Sequence, residues 1–377
     1  SEPLRTSTST IIKPEPKVNP LLSPLAWLYG VGVELRNYLF DRGILKQTVY
    51  PIPVICVGNL TVGGTGKTPH IEYLIKLLSS HHYKVAVVSR GYKRQSKSMQ
   101  VVQVNSDVKR VGDEPMQIKL KYPQATVVVD KNRRNAINYL LTLNPNEQPD
   151  VVLLDDGYQH RYVKPSLSIL LVDRNRPIYE DKLLPAGRLR EPLHRKDRAS
   201  IVLVTKCGDN MQPINYRIFA NGLNLFPYQA LYFTRFAYQQ LQPVFSHHAT
   251  HTTPMPLAQL RHKQVLLVAG IATTKPLQDK MLAHTQHLHT LFFPDHHLFQ
   301  KSDIRNIEKK FNKLPHNSDN KIIVTTEKDA TRLQALPYIS NTLKQHLYYL
   351  PIEVALLENF ENETFNNKIL NHVRNYQ

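Results

Sequence analysis

Cysteine is nearly absent: Cys56 and Cys207, each inside an apolar run (VICVG and VTKCG), are the only two in 377 residues. Two thiols cannot build a disulfide framework, so a reducing, cytosolic setting is expected. Acidic residues are short as well. Thirty Asp and Glu stand against 48 Lys and Arg, a net charge of +18. That excess favours anionic partners without choosing among nucleic acid, an anionic membrane surface and phosphorylated substrates. Long apolar runs are missing too: the uncharged stretch Val18–Val33 is too short for a spanning helix, which needs about 20 apolar residues. Residues 1–20 are rich in Ser, Thr and Pro and lack an apolar core, so a mobile tail is expected there rather than a signal peptide. What remains is ordinary. Hydrophobic residues make up 41% and charged residues 21%, values that argue against wholesale disorder, and the length allows two domains or one large α/β domain.

Short β-branched runs alternate with helical stretches after Pro53. VICVG (54–58), KVAVVSRG (84–91), ATVVVD (125–130), VVLLDD (151–156), LSILLVD (167–173) and SIVLVT (200–205) are almost continuously apolar, as strands covered on both faces of a parallel sheet are. PHIEYLIKLLSS (69–80) and KNRRNAINYLLTL (131–143) read as helices between them. The order predicts an open, mostly parallel, doubly wound α/β sheet with helices on both faces. We expect a tail over 1–20, an amphipathic helix over 21–45, a nucleotide-binding core over 46–210, a connector over 211–260 and a smaller α/β lobe over 261–377. Within the helix, Leu21, Leu25, Leu28, Gly32, Leu35 and Leu39 share one face, and Ser23, Trp27, Gly30, Glu34, Asn37 and Asp41 share another. The leucine face suits either a membrane interface or the protein's own core. The histidine-rich stretches 247–251 and 284–289 have no cysteine or carboxylate at fixed spacing, so zinc is not expected.

VGNLTVGGTGKTP (57–69) lies between a predicted strand and a predicted helix, the context a phosphate-binding loop requires. The usual spacing has a glycine where Thr61 stands, and the variant K-G-G-x-G-K-[ST] has a lysine where Val62 stands. The cradle itself is intact. Gly63, Gly64 and Gly66 let backbone amides turn inward, Lys67 reaches phosphate oxygens, and Thr68 offers a hydroxyl to Mg²⁺, all at a helix N-terminus. VVLLDDGYQH supplies Asp155 and Asp156 as Walker-B-like acids at a strand's carboxyl end. VGDEP places Asp113 and Glu114 in a loop, and PAGRLREPLHR carries Arg188, Arg190, Glu191 and Arg195. Arginines among glycine and proline suit planar recognition of phosphate, although a lone basic run is more often solvated surface.

VGNLTVGGTGKTP, SRGY, VGDEP, DDGYQHR, LLPAGRLREP, FPDHH and TEKDA, in this order, closely resemble the tetraacyldisaccharide 4'-kinases of the lipid A pathway. The resemblance implies a P-loop lipid kinase that moves the ATP γ-phosphate to the 4'-hydroxyl of a tetraacylated disaccharide 1-phosphate, with ATP and Mg²⁺ as cofactors. It implies a peripheral protein on the cytoplasmic face of the Gram-negative inner membrane, with a lipid disaccharide as partner, contact with anionic lipid, no nucleic acid and no obligate protein partner. Matched residue by residue, Thr61, Val62, Gly63, Gly64, Thr65, Gly66, Lys67 and Thr68 hold the nucleotide. Asp113 acts as base with His296 assisting, and Lys67, Asp155 and Asp156 complete the catalytic set. Thr68, Glu114 and Gln159 are linked to the metal, and Arg133, Arg134, His160, Arg190 and Glu191 to substrate or nucleotide phosphates. Val62 and Tyr158 depart from the family's commonest spelling. A P-loop ATPase or GTPase switch is the main rival, because TEKD resembles a guanine-reading motif; a nucleic-acid-dependent ATPase and a DHH-type phosphoesterase lack supporting motifs.

Overall fold

The computed structural model describes residues 18–64, 66–246, 253–315 and 318–376. The expected tail lies outside them as far as residue 17, as do Thr65 and the histidine-rich stretch 247–251. Strand and helix alternate from Val54 onward. The strands are β1 (Val54–Gly58), β2 (Val85–Ser89), β3 (Gln100–Val102), β4 (Thr126–Val129), β5 (Val151–Asp155), β6 (Leu167–Asp173), β7 (Ile201–Thr205) and β8 (Ala230–Tyr238). After them come β9 (Gln242–Pro243), β10 (Gln264–Ala269), β11 (Leu288–Phe292), β12 (Lys321–Thr326), β13 (Leu347–Leu350) and β14 (Ile352–Leu356). The stretch 211–260, where the sequence pattern is weakest, holds helix Pro213–Leu223 and strand β8.

The chain forms two compact units, each assembled from discontinuous pieces. The first gathers residues up to Lys67, Asp156–Arg235 and Leu356 onward; the second gathers Thr68–Asp155 and Phe236–Ala355. In the first unit β8, β7, β6 and β1 pair in parallel in that order. Strands β1 and β7 are buried at every position, which is why their sequences read as unbroken apolar runs. In the second unit β5, β2 and β4 run parallel, and β3 closes the edge antiparallel to β4.

The second unit also holds a separate sheet in the order β11-β10-β12-β13-β9, parallel except for β9. Because successive side chains in a strand point to opposite faces, its two central strands feed two cores. Leu266, Val268 and Ile323 join Phe299, Ile304, Ile307 and Phe311 on one side. Val265, Leu267, Ile322 and Val324 join Leu260, Leu277 and Met281 on the other. The α/β fold expected from the pattern, mostly parallel with a further α/β sheet late in the chain, is the fold observed.

Helix Ser23–Asp41 leaves most of the leucine face exposed. Ala26, Gly30, Asn37 and Phe40 are its buried residues, while Leu21, Trp27, Leu28 and Leu35 are 88%, 68%, 59% and 59% exposed. Its polar residues do the holding: Arg195 pairs with Glu34 at 2.8 Å and with Asp41 at 3.0 Å, and Arg161 pairs with Asp41 at 2.9 Å. The Tyr29 hydroxyl donates to the Arg190 carbonyl, and Gly30 lies so close to Leu183 that a Cβ would stand 2.8 Å from its Cδ1. Of the two places proposed for the leucine face, the protein's own core is excluded. No helix among the described residues is long and apolar enough to cross a membrane.

A buried charge cluster in the second unit predicts a pH dependence of stability. Glu72, in helix Lys67–Ser80, lies 3.4 Å from the Lys121 ammonium, which is also 3.3 Å from Glu327. Burial pushes the Glu72 carboxyl up to about 7; Lys121 pulls the other way and Glu327 adds repulsion. The same group in the unfolded chain titrates near ~4.3. Between those values the folded state keeps a proton that the unfolded chain has lost. This contribution to stability is therefore complete below the window and is lost as pH rises through it. Glu72→Gln is expected to flatten the fall in thermal midpoint between about pH 5 and 7 and to leave a higher midpoint at about pH 8. Superimposable midpoint–pH curves for the two proteins would refute this.

Candidate active site

The phosphate loop begins where β1 ends at Gly58, and the helix that follows starts at Lys67. Gly63 and Gly66 have φ of +103° and +87°, the left-handed region that a side chain disfavours. Thr61, standing where the first glycine of the common motif would be, is buried in an antiparallel bridge to Leu189. Val62 N donates to the Arg188 carbonyl at 2.9 Å, and Arg190 N donates to the Leu60 carbonyl at 2.6 Å. The loop is thus laced to GRLRE, and the departure at Thr61 and Val62 becomes intelligible: these two positions serve as backbone ladder rather than as a tight turn. Thr65 lies outside the described residues.

The acidic pair divides. Asp155 is the last residue of β5 and is buried, whereas Asp156 sits in a left-handed conformation (φ +54°). From there its carboxylate meets Lys67 Nζ at 3.3 Å and an Arg190 guanidinium nitrogen at 3.4 Å. Arg190 also donates to Gln159 Oε1 at 3.4 Å, and Gln159 Nε2 donates to the Asn59 carbonyl at 2.8 Å and to Glu191 at 3.2 Å. Glu191 is buried against Arg198 at 2.8 Å and accepts from Asn37 Nδ2. Sequence places Gln159 with the metal and Glu191 with phosphate; the structure places both in the network that orients Arg190. His160 is half-buried, its ring 5.6 Å from that of Tyr162. Tyr158, one of the unusual spellings, packs its Cβ where a Cβ on Gly58 would collide at 2.6 Å, and its ring lies 4.6 Å from the Arg198 guanidinium.

One member of this group escaped the sequence reading. Lys206, just past the carboxyl end of β7, donates from Nζ to the Gly64 carbonyl at 2.8 Å and pairs with Asp173 at 3.0 Å. The available signal was positional: ligand-facing residues in open α/β sheets gather at carboxyl strand ends.

The second unit holds another cluster. VGDEP is no loop: Gly112, at φ +99°, releases the chain into helix Asp113–Lys121, so Asp113 and Glu114 occupy its first turn, where the helix dipole favours anions. His296 lies on a left-handed residue (φ +59°), with Nδ1 3.9 Å from Asp113 Oδ2 and its ring edge-on to Tyr92 at 6.0 Å. Burial, with Lys328 adding to it, holds the imidazole below its usual value although Asp295 opposes the shift, which favours the neutral, proton-accepting form. A nearer partner of Asp113 is Arg332, at 2.6 Å. Lys328 lies 3.8 Å from Glu114. Arg133 and Arg134 open helix Arg133–Thr142 behind the Asn132 cap, a position suited to phosphate.

The guanine-reading alternative fails on geometry. Asp329 of TEKD is fully buried and accepts from Gly270 N at 2.9 Å and from Thr326 Oγ1 at 2.8 Å. Its lone pairs serve the fold and not a base. Among the described residues no group of three or more His, Cys, Asp or Glu is placed to hold a metal ion.

A family model described as tetraacyldisaccharide-1-P 4'-kinase matches residues 18–374. The tetraacyldisaccharide 4'-kinase of Bacteroides thetaiotaomicron is 48% identical over 362 residues, covering 95% of this chain and 94% of that one. That of Parabacteroides distasonis is 48% identical over 357 residues, with 95% of each chain covered. Among solved structures, LpxK from Aquifex aeolicus in complex with ATP superposes with a TM-score of 0.70 at 28% identity, covering 94% of this chain and 98% of that one.

Proposed function

This chain belongs to the tetraacyldisaccharide-1-P 4'-kinase family, and from that premise we propose a role in phosphoryl transfer for the residues of each polar cluster. The protein is an ATP-dependent kinase that phosphorylates the 4'-hydroxyl of a tetraacyldisaccharide 1-phosphate. The observation that carries the site assignment is Lys67, held 3.3 Å from Asp156 at the end of a loop with left-handed Gly63 and Gly66.

Amides of Gly63, Gly64, Gly66, Lys67 and Thr68 are assigned to the triphosphate, backed by the Thr61–Val62 ladder, and the Lys67 ammonium to its β- and γ-phosphates. The donors that suit Mg²⁺ are hard oxygens, the Thr68 hydroxyl and the Glu114 carboxylate; Gln159 contributes through Arg190. Mg²⁺, when bound, offsets the charge of the phosphate oxygens. Asp113 accepts a hydrogen bond from the 4'-hydroxyl and orients its oxygen towards the γ-phosphorus. As the O–P bond to the acceptor forms and the bond to the ADP oxygen breaks, the hydroxyl proton passes to the Asp113–His296 pair and on to water. Arg133, Arg134, His160 and Arg190 are assigned to phosphate groups of substrate and nucleotide, with Glu191 acting on Arg190 through Gln159. Labelled γ-phosphate should appear on the lipid disaccharide when both substrates are present. Hydrolysis that is indifferent to the acceptor would point back to a switch ATPase.

The exposed face of helix Ser23–Asp41 is proposed to dock on the cytoplasmic surface of the inner membrane. Leu21, Leu25, Leu28, Val31 and Leu35 with Trp27 and Tyr38 form a face that water stabilises poorly, and the exposed Arg42 on the same segment favours anionic headgroups. Trp27 is the sole tryptophan, so its emission reports docking directly. Adding anionic vesicles should shift that emission to the blue. Leu28→Asp with Leu35→Asp should weaken vesicle binding at least tenfold, since burying each leucine contributes about 1.5–3 kcal/mol. Unchanged partitioning of the double variant would remove this face from the membrane.

A further inference from the structure

We propose that Arg332 is a positioning residue for the transfer, fixing the Asp113 carboxylate and joining it to His296 through one guanidinium. The proposal rests on reading Asp113 as the group that receives the acceptor hydroxyl. Arg332 lies in helix Glu327–Gln334 with its side chain 4% exposed, a placement that is costly for a permanent cation unless its surroundings compensate. They do. One terminal nitrogen stands 2.6 Å from Asp113 Oδ2 and 3.5 Å from His296 Nδ1. The other donates to the His297 carbonyl at 3.2 Å and to Asp329 Oδ1 at 3.4 Å.

Asp329 is itself anchored by Gly270 N and Thr326 Oγ1, so the guanidinium is braced from behind. A single planar fork therefore gathers GDEP, FPDHH and TEKDA, three stretches far apart in sequence. Oδ2 of Asp113 is engaged by Arg332, which leaves Oδ1 to meet the hydroxyl. His296 Nδ1 faces the guanidinium at 3.5 Å and the carboxylate at 3.9 Å, so the two bases communicate through Arg332. Lysine in its place keeps the charge but has no fork with which to hold both at once.

Steady-state kinetics with ATP and the lipid disaccharide test this on Arg332→Gln, Arg332→Lys, Asp113→Asn and the Arg332→Gln/Asp113→Asn pair, with ATP binding measured on each protein. Misplacing a reacting group by about an ångström costs on the order of a hundredfold. Arg332→Gln is therefore expected to lower kcat about a hundredfold with both KM values within about threefold, and Arg332→Lys to recover part of the loss. In the Asp113→Asn background Arg332→Gln should cost less than about threefold, because residues acting as one unit are not additive. Multiplicative losses, a rise in KM with kcat unchanged, or normal kcat in Arg332→Gln would each overturn the positioning role. So would loss of cooperative unfolding and ATP binding in both Arg332 variants, which would make the residue a matter of stability alone. Normal transfer by Asp113→Asn would instead overturn the underlying site reading, whatever Arg332 does.

Discussion

Lys67→Ala is expected to leave a folded protein that still binds ATP but transfers phosphate at least about a hundredfold more slowly. Phosphoryl transfer asks mainly for positioning and for charge placed where it develops, and removing one such preorganised group typically costs on the order of 10²–10³ in kcat. The fold should survive because Lys67 is partly exposed and its partner is not stranded: Asp156 retains Arg190 at 3.4 Å. Helix Lys67–Ser80 is held by Ile71, Leu74, Ile75 and Leu78, all on its buried side and none touched by the substitution. The measurement is the transfer rate at saturating ATP, beside the thermal midpoint and nucleotide affinity of the same sample. Thr68→Ala should act differently, raising the Mg²⁺ concentration needed for half-maximal rate. Near-normal transfer by Lys67→Ala at saturating ATP would sink the P-loop assignment.

The second large effect belongs to Asp113 and His296. Each alanine variant is expected to lose about 10²–10⁴-fold in transfer, the usual worth of a positioned acid–base group, while binding ATP as before. The two losses should not multiply. Their nearest atoms are 3.9 Å apart with Arg332 in reach of both, so they work as one unit and removing the second should cost little more. Burial and Lys328 disfavour the charged form of His296, and the neutral form is the one a proton acceptor needs. Glu114→Ala separates metal from base: it should recover part of its rate at high Mg²⁺, and Asp113→Ala should not. Independent losses in the double-mutant cycle would dissolve the pair.

Several of these residues were legible as types before they were placed. The phosphate loop was, since glycines followed by Lys-Thr between an apolar run and an amphipathic run can do little else at that spacing. What could not be read was its backing. Thr61 and Val62 looked like departures until their ladder to Leu189 and Arg188 appeared, and that pairing joins residues more than 120 positions apart. Lys206 and Arg332 escaped for the same reason. A lysine after a strand and an arginine in a short helix are common, and only the Gly64 carbonyl and the Asp113 carboxylate beside them give them a role.

By itself, the sequence determined the alternation of strand and helix, the parallel character of the sheets and the glycine turns of the loop after β1. These depend on local pattern: continuous apolar runs need cover on both faces, and left-handed turns favour glycine. The tertiary structure alone decided which face of helix Ser23–Asp41 is inside. Periodicity measures that a leucine stripe exists, not what lies opposite it, and here Glu34 and Asp41 find Arg195 and Arg161 while the leucines stay outside. Tertiary structure likewise decided the surroundings of Asp155 and Asp156. Two adjacent aspartates are equivalent in sequence, but one completes a buried strand and the other, turned by a left-handed backbone, meets Lys67 and Arg190.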